Sequence, residues 1–361
     1  MRHQCLVLVF LIYAVYYFHI NILYHGDSTL LVISQFSKTL IPLLLLPAIE
    51  LSVNRGYGEK LYNLFYQLLL FQMLFGVWKL VFLGGFLEGW VGSISGLQGG
   101  GAGTSLPLLG LIFWSIRSHM AFRSRKDWLF VGGLLLIGFA AGKRAVWVLF
   151  PLLFLLIYIV AYGKTIKPGS ALMIVILLPV FVYLGMRLTP TLNPEDKVWG
   201  SFNPQYAWEY GLKYSTGSEG GGDSIEKGVG RVGAVSLMLD MMKSSDESAL
   251  FGRGLEYMVY ADHDDYLNAD YYQGITSRGS ITGIVSTFFT IGTIGVVLFI
   301  LFICTLLLLN KSRYRWVLLI MVLFDYVFYN AQSVSTMALF ALAIFLTIYT
   351  NYRNYSLSSS V

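Results

Sequence analysis

Apolar residues run along this chain in stretch after stretch of roughly membrane-crossing length, separated by short polar connections. A bilayer core about 30 Å thick needs around 20 apolar residues per helix. On that basis the sequence predicts helical spans at Cys5 to Tyr24, Leu30 to Leu51, Leu61 to Leu83, Ser105 to Ile116, Trp128 to Ala141, Ala145 to Tyr162, Ala171 to Met186, Gly283 to Leu309, Trp316 to Tyr329 and Met337 to Tyr349. The fourth, fifth and ninth reach crossing length only if flanking Gly, Ser and aromatic residues complete them. The expectation is an all-α polytopic membrane protein of about ten transmembrane helices, its first helix retained because the run after Arg2 lacks a small-residue cleavage site.

One polar segment is too long to be a simple connection. Residues Arg187 to Ser280 hold 14 acidic and 8 basic side chains and are expected to form a large extracytoplasmic loop subdomain between spans 7 and 8. The expected organisation is therefore 1-186 with helices 1–7, 187-280 as the loop, and 281-361 with helices 8–10 and a short cytoplasmic tail. The first half of the loop is rich in aromatics (Trp199, Tyr206, Trp208, Tyr210, Tyr214), followed by a Gly-rich strip from Gly217 to Asp223. Such rings suit the apolar face of a pyranose, and equally an interfacial aromatic belt. From Arg231 to Lys243 one set, Val232, Val235, Leu239 and Met242, and a second, Ala234, Met238 and Met241, recur at helical spacing, predicting a helix at the membrane surface.

Composition agrees with the pattern: 56% hydrophobic, 12% charged and a mean hydropathy of +0.65 lie outside soluble usage. The net charge of +5 does not point to nucleic acid, because the cations cluster beside apolar spans instead of lining one polar face. With both termini cytoplasmic, the ten spans place Arg2, Arg55, Lys60, Arg117, Arg123, Arg125, Lys126, Lys164, Lys167, Lys311, Arg313, Arg315 and Arg353 inside, as the positive-inside rule requires. Lys143 and Arg144, on an outer hairpin, break the rule. They serve either an anionic ligand outside or, on an ordinary hairpin, lipid phosphate or a carboxylate of the large loop. Cys5 and Cys304 lie in apolar runs, which argues against a disulfide framework or a thiolate metal site.

Lys38, Lys79 and Asp325 fall inside spans, where an unpaired charge costs at least about 3 kcal/mol. A Lys–Asp pair that fixes helix packing is the favoured reading over an ion relay. The polar cluster Asn330, Gln332, Ser333 and Ser335 could contact the large loop.

Four local patterns then matter together: Gly142-Lys143-Arg144 opening an apolar helix; Gly230-Arg231 opening the loop helix, where a first-turn cation opposes the helix dipole unless an anion relieves it; Leu250-Phe251-Gly252-Arg253-Gly254; and Phe289-Thr290-Ile291-Gly292-Thr293-Ile294-Gly295 at a helix entry after the loop. Their order and sidedness resemble the O-antigen polymerase and ligase superfamily (the Wzy and WaaL type) of membrane glycosyltransferases, over roughly Gly142 to the end of the eighth span. The resemblance implies a GT-C-like all-helical enzyme of the bacterial inner membrane. Its donor and acceptor would be undecaprenyl-pyrophosphate-linked glycans, with no metal, no cofactor, no nucleic acid, and a chain-length regulator protein as a further partner. It implies that Arg144 and Arg231 bind the pyrophosphate, with Lys143 and Arg253 beside them.

Ligase-type members carry a histidine at the end of the loop; here that stretch reads Ser277-Arg278-Gly279-Ser280-Ile281. That favours repeat-unit polymerisation over transfer to another acceptor such as lipid A core or a protein. A flippase for the same substrate would carry inverted repeats, and none stands out. The nearest candidate base is His263 in Asp262-His263-Asp264-Asp265, whose carboxylates favour its protonated form. The same cluster reads as divalent-metal ligands or as an exposed acidic turn. Arg278 is a candidate further phosphate clamp.

Overall fold

The structure is a computed structural model and describes residues 2–83, 102–118, 124–141, 144–162, 168–216, 235, 238–240, 242–243, 247–256, 282–308, 314–328, 345–346 and 348–349. Among them every regular element is helical: α1 (Arg2–Phe18), continued by a wider π-type turn (His19–Tyr24), α2 (Thr29–Ser52), α3 (Gly58–Leu83), α4 (Ala102–Ser118), α5 (Arg125–Ala140), α6 (Arg144–Tyr162), α7 (Pro168–Leu188), α8 (Pro204–Thr216), the short α9 (Glu247–Phe251), α10 (Gly283–Leu308) and α11 (Tyr314–Phe328). Three stretches are long and apolar enough to cross a membrane, Cys5–Tyr24, Leu44–Lys79 and Gly283–Leu308, with shorter apolar helices at Gly103–Ile116, Ala145–Val160 and Pro179–Leu188. Leu44–Lys79 bends at Val53–Tyr57, where Gly56 has φ +84°. This is an all-α membrane protein.

Exposure supports that reading independently of length. On α1, Val7, Leu8, Leu11, Ile12 and Val15 are exposed while Leu6, Tyr13 and Tyr17 are buried. A water-facing stripe of that kind would forfeit about 1.5–3 kcal/mol per large side chain, whereas hydrocarbon accepts it at no cost. Pro107, Pro151 and Pro179 sit inside α4, α6 and α7, a placement that membrane helices tolerate when neighbours satisfy the freed backbone groups.

The chain divides into two compact units. The unit formed by Met1–Pro42, Glu209–Leu309 and Val322–Met337 packs α10 against α1. Its core joins Tyr13, Tyr17, Ile20, Val32 and Phe36 to Leu255 and Ile291, with the Tyr13 and Phe302 rings stacked at 6.3 Å. Helix is found at 235, 238–240 and 242–243, where Met238 is buried and Leu239 and Met242 are exposed.

The unit formed by Leu43–Trp208, Asn310–Met321 and Ala338–Val361 is built around α4, buried from residue 103 to 116 and flanked by α5 and α6. A helix apolar on all sides belongs at such a centre. Tyr62 stacks on Phe113 at 4.1 Å and donates to its carbonyl at 2.9 Å. Gly110 lies against Leu134 and Gly138 against Val146 with no room for a side chain, the close approach small residues allow in membrane bundles. Lys79 is buried, its ammonium 5.5 Å from the Phe75 ring centroid. The side chains of Lys38 and Asp325, and the clusters Gly217 to Asp223 and Asn330 to Ser335, lie outside the described residues.

Candidate functional site

Two of the four patterns singled out in the sequence meet in space. Helix α10 breaks at Ile291 (φ −135°, ψ 16°) and Gly292 (φ 69°, ψ −171°), so carbonyls just before the break need partners from elsewhere. They find them on the segment Leu250–Glu256. The Arg253 N–H donates to the Phe289 carbonyl at 2.7 Å and the Gly254 N–H to the Thr290 carbonyl at 3.2 Å. In return the Thr293 hydroxyl donates to the Ala249 carbonyl at 2.7 Å. The segment is thus a strap laid across a broken helix, and the glycine-containing helix entry expected from the sequence is the start of the second half of α10.

Glycine is needed on both sides of that contact. A Cβ on Gly292 would run into the Leu250 carbonyl, and one on Gly252 (φ +78°) would lie 2.7 Å from the backbone nitrogens of Ile291 and Gly292. Both positions combine left-handed backbone with a backbone-to-backbone approach that admits only hydrogen.

The other face of the strap is held by the turn between α1 and α2. Asp27, buried, accepts from the Leu255 N–H at 2.6 Å and the Glu256 N–H at 3.3 Å. The Glu256 carboxylate accepts from the Ser28 N–H at 2.8 Å, placing an anion at the start of α2 where the helix dipole favours one. His25 donates from Nε2 to the Phe251 carbonyl at 3.3 Å. Tyr16 donates to the Ile291 carbonyl at 3.0 Å, with the Leu250 carbonyl 3.4 Å away. Burial pushes the Asp27 carboxyl above its ordinary value, opposed by the two backbone donors and by His25. Arg253, partly buried, is therefore carried on a backbone fixed from two sides. The fixed backbone sets where its guanidinium can reach, while the long side chain keeps its own rotatable bonds.

In the second unit, α5 ends at Ala140 and α6 begins at Arg144. One turn into α6, the Trp147 indole donates to the Thr189 hydroxyl at 3.2 Å, so the start of α6 lies at the end of the hairpin where α7 finishes. Beyond α7 the loop is closed by a reciprocal pair: the Gly200 N–H donates to the Arg187 carbonyl at 3.0 Å, and Arg187 Nε donates to the Gly200 carbonyl at 2.8 Å. Inside it, the fully buried Asn193 donates to the Thr189 carbonyl at 3.0 Å and the Lys197 carbonyl at 2.9 Å and accepts from the Lys197 N–H at 3.3 Å. Glu195 accepts from the backbone and hydroxyl of Ser201 at 2.8 and 2.9 Å, which holds its carboxyl below the usual range.

Of the residues nominated from sequence, Arg253 sits in the strap and Arg144 opens α6, its side chain outside the described set. Lys143, Arg231, His263 and Arg278 lie outside the described residues altogether. Sequence reasoning missed Asp27, His25 and Tyr16 around the strap, and Arg187 and Asn193 beyond α7. The connection His25 to Ser28 reads as an ordinary short turn, and its only hint is an Asp two residues before a helix start. Comparison with family models, with curated proteins and with solved structures finds no match.

Proposed function

We propose that this chain is a glycosyltransferase of the bacterial inner membrane that polymerises undecaprenyl-pyrophosphate-linked oligosaccharide repeat units into a surface polysaccharide. In this reading about ten spans cross the membrane, both termini are cytoplasmic, and residues 187–280 face outwards. The observation that carries it is the seating of Leu250–Gly254 in the break at Gly292. Two of the patterns behind the resemblance thereby become parts of one structure, with an arginine on it.

The reaction is an inverting substitution. An acceptor sugar hydroxyl forms a new bond to the donor's anomeric carbon, the bond from that carbon to the pyrophosphate oxygen breaks, and the hydroxyl proton passes to a base. Guanidinium groups of Arg144 and Arg231, with Lys143 and Arg253, bind the pyrophosphate and offset the charge that grows as it leaves. His263 is the nearest candidate base and Arg278 a further phosphate clamp. No metal is required, since fixed cations perform the same electrostatic task.

The test is a purified enzyme given a synthetic lipid-linked repeat unit. The expected product is a ladder of longer glycans, lost by about a hundredfold or more in Arg144→Ala and Arg231→Ala with the protein still folded. Undiminished laddering in both variants would overturn the assignment. Passage of labelled lipid-linked sugar across vesicles with no change in glycan length would replace it with a flippase.

A further inference from the structure

The loop after α7 is built far more firmly than a connection requires, and it displays apolar side chains. Val198, Trp199 and Phe202 are 43%, 52% and 46% exposed. Trp199 is held at φ +65°, a left-handed conformation that costs a bulky residue about 1–3 kcal/mol and persists only where the surroundings impose it. What imposes it is the buried amide of Asn193 and the Arg187–Gly200 closure. The Arg187 guanidinium lies 4.5 Å from the Trp199 ring centroid, covering one face of the indole and leaving the rest presented outwards.

The direction of that presentation follows from α7. Leu172, Ile176, Val180 and Tyr183 are exposed along it at spacings of four, four and three, which is one helix face; it is an apolar helix face of the kind that meets lipid. The stripe runs on without a break into the loop. Tyr183 packs on Phe202 with ring centroids 5.1 Å apart, and Arg187, one turn beyond Tyr183, donates to its hydroxyl at 2.8 Å while stacking on Trp199. The aromatic cluster therefore occupies the lipid side of α7 at the level where the helix ends, the level at which Trp and Tyr rings and snorkelling arginines are favoured.

We infer that Val198, Trp199 and Phe202 form a rigid anchor seated in the headgroup layer of the bilayer beside the end of α7, with Arg187 clamped beneath Trp199. The partner is the membrane itself. A sugar ring could also stack on an exposed indole, but the continuity with the lipid-facing stripe favours lipid. Glu195, Asp196 and Lys197, all exposed, give the same loop a polar side. The inference rests on the membrane fold and not on the proposed reaction.

The experiment places single spin labels on the full chain, with Cys5 and Cys304 replaced by serine, in nanodiscs of phosphatidylethanolamine and phosphatidylglycerol. Collision with oxygen, which concentrates in lipid, is compared with collision with a water-soluble nickel chelate. A label at Val180 reports whether α7 faces lipid; a nickel-accessible Val180 would remove the lipid-facing stripe and overturn the anchor with it. Given a lipid-facing Val180, labels at Val198 and Phe202 are expected to favour oxygen and one at Lys197 to favour nickel. Trp199→Ala should shift the Val198 label towards nickel. Nickel accessibility at Val198 and Phe202 equal to that at Lys197 overturns the anchor. A blue shift of Trp199 emission on adding a soluble oligosaccharide, read against Trp199→Phe, would then assign the ring to sugar.

Discussion

The strap on α10 and the loop beyond α7 both hold irregular backbone beside apolar helices, where every N–H and C=O must find a partner. In the loop the partners are local. Asn193 reaches carbonyls four residues away on either side, and Arg187 closes on Gly200 thirteen residues on. In the strap they are distant, with His25 and Phe251 226 positions apart and Asp27 and Leu255 228 apart. Two of the strap's anchors toward α10 are backbone to backbone, so removing the Thr293 hydroxyl that bonds the Ala249 carbonyl leaves them in place. The loop should keep its shape whenever α6 and α7 pair. The strap exists only when α1, α2 and α10 are assembled, which makes it the place where one small change uncouples distant parts of the chain.

The sharpest break in that contrast is Gly292→Ala, which adds a Cβ against the Leu250 carbonyl at φ +69°. It should cost about 3 kcal/mol or more in unfolding in detergent. Gly132→Ala, in α5 with nothing within 4 Å, should instead gain about 0.5–1 kcal/mol. Next comes Asn193→Ala, expected to cost about 2–3 kcal/mol by leaving buried carbonyls without donors. Hydrogen exchange should then rise across 189–200 and stay unchanged in 250–256, the reverse of the pattern from Gly292→Ala. Tyr16→Phe removes the hydroxyl that reaches Ile291 and should cost about 1 kcal/mol, read as faster exchange near the break.

The smallest effect is a pH dependence. Burial holds the folded Asp27 carboxyl above its free value of 3.8, so the folded protein binds that proton more tightly than the unfolded chain. Its ionisation is a penalty present at neutral pH. The penalty is relieved as pH falls through the folded-state value, and the difference disappears below 3.8. Mild acidification should therefore tighten the strap, and Asp27→Asn should flatten that response.

The apolar helices were legible because run length and hydropathy are local quantities; α8 (Pro204–Thr216) was not, because its sequence carries no apolar run. Even the short fourth and fifth apolar stretches come out as helices, Ala102–Ser118 and Arg125–Ala140, lengthened by the Gly, Ser and charged residues that flank their apolar centres. The patterns around Gly252 and Gly292 were legible as patterns. Their union was not, because each reads as a helix end or a turn until the other supplies the missing hydrogen-bond partners. Asp27 was invisible for the same reason: its role is set by amides more than two hundred positions away. Asn193 and Arg187 were hidden among aromatics whose composition alone suits a sugar and a headgroup layer equally.

The seating of the strap in the broken helix is tested most directly by hydrogen–deuterium exchange on the full chain in nanodiscs, read at the Arg253 and Gly254 amides. If those amides are bonded to the Phe289 and Thr290 carbonyls, they exchange as slowly as the body of α10, and Gly292→Ala releases them. Exchange at the rate of an open loop in the unsubstituted protein would contradict the arrangement.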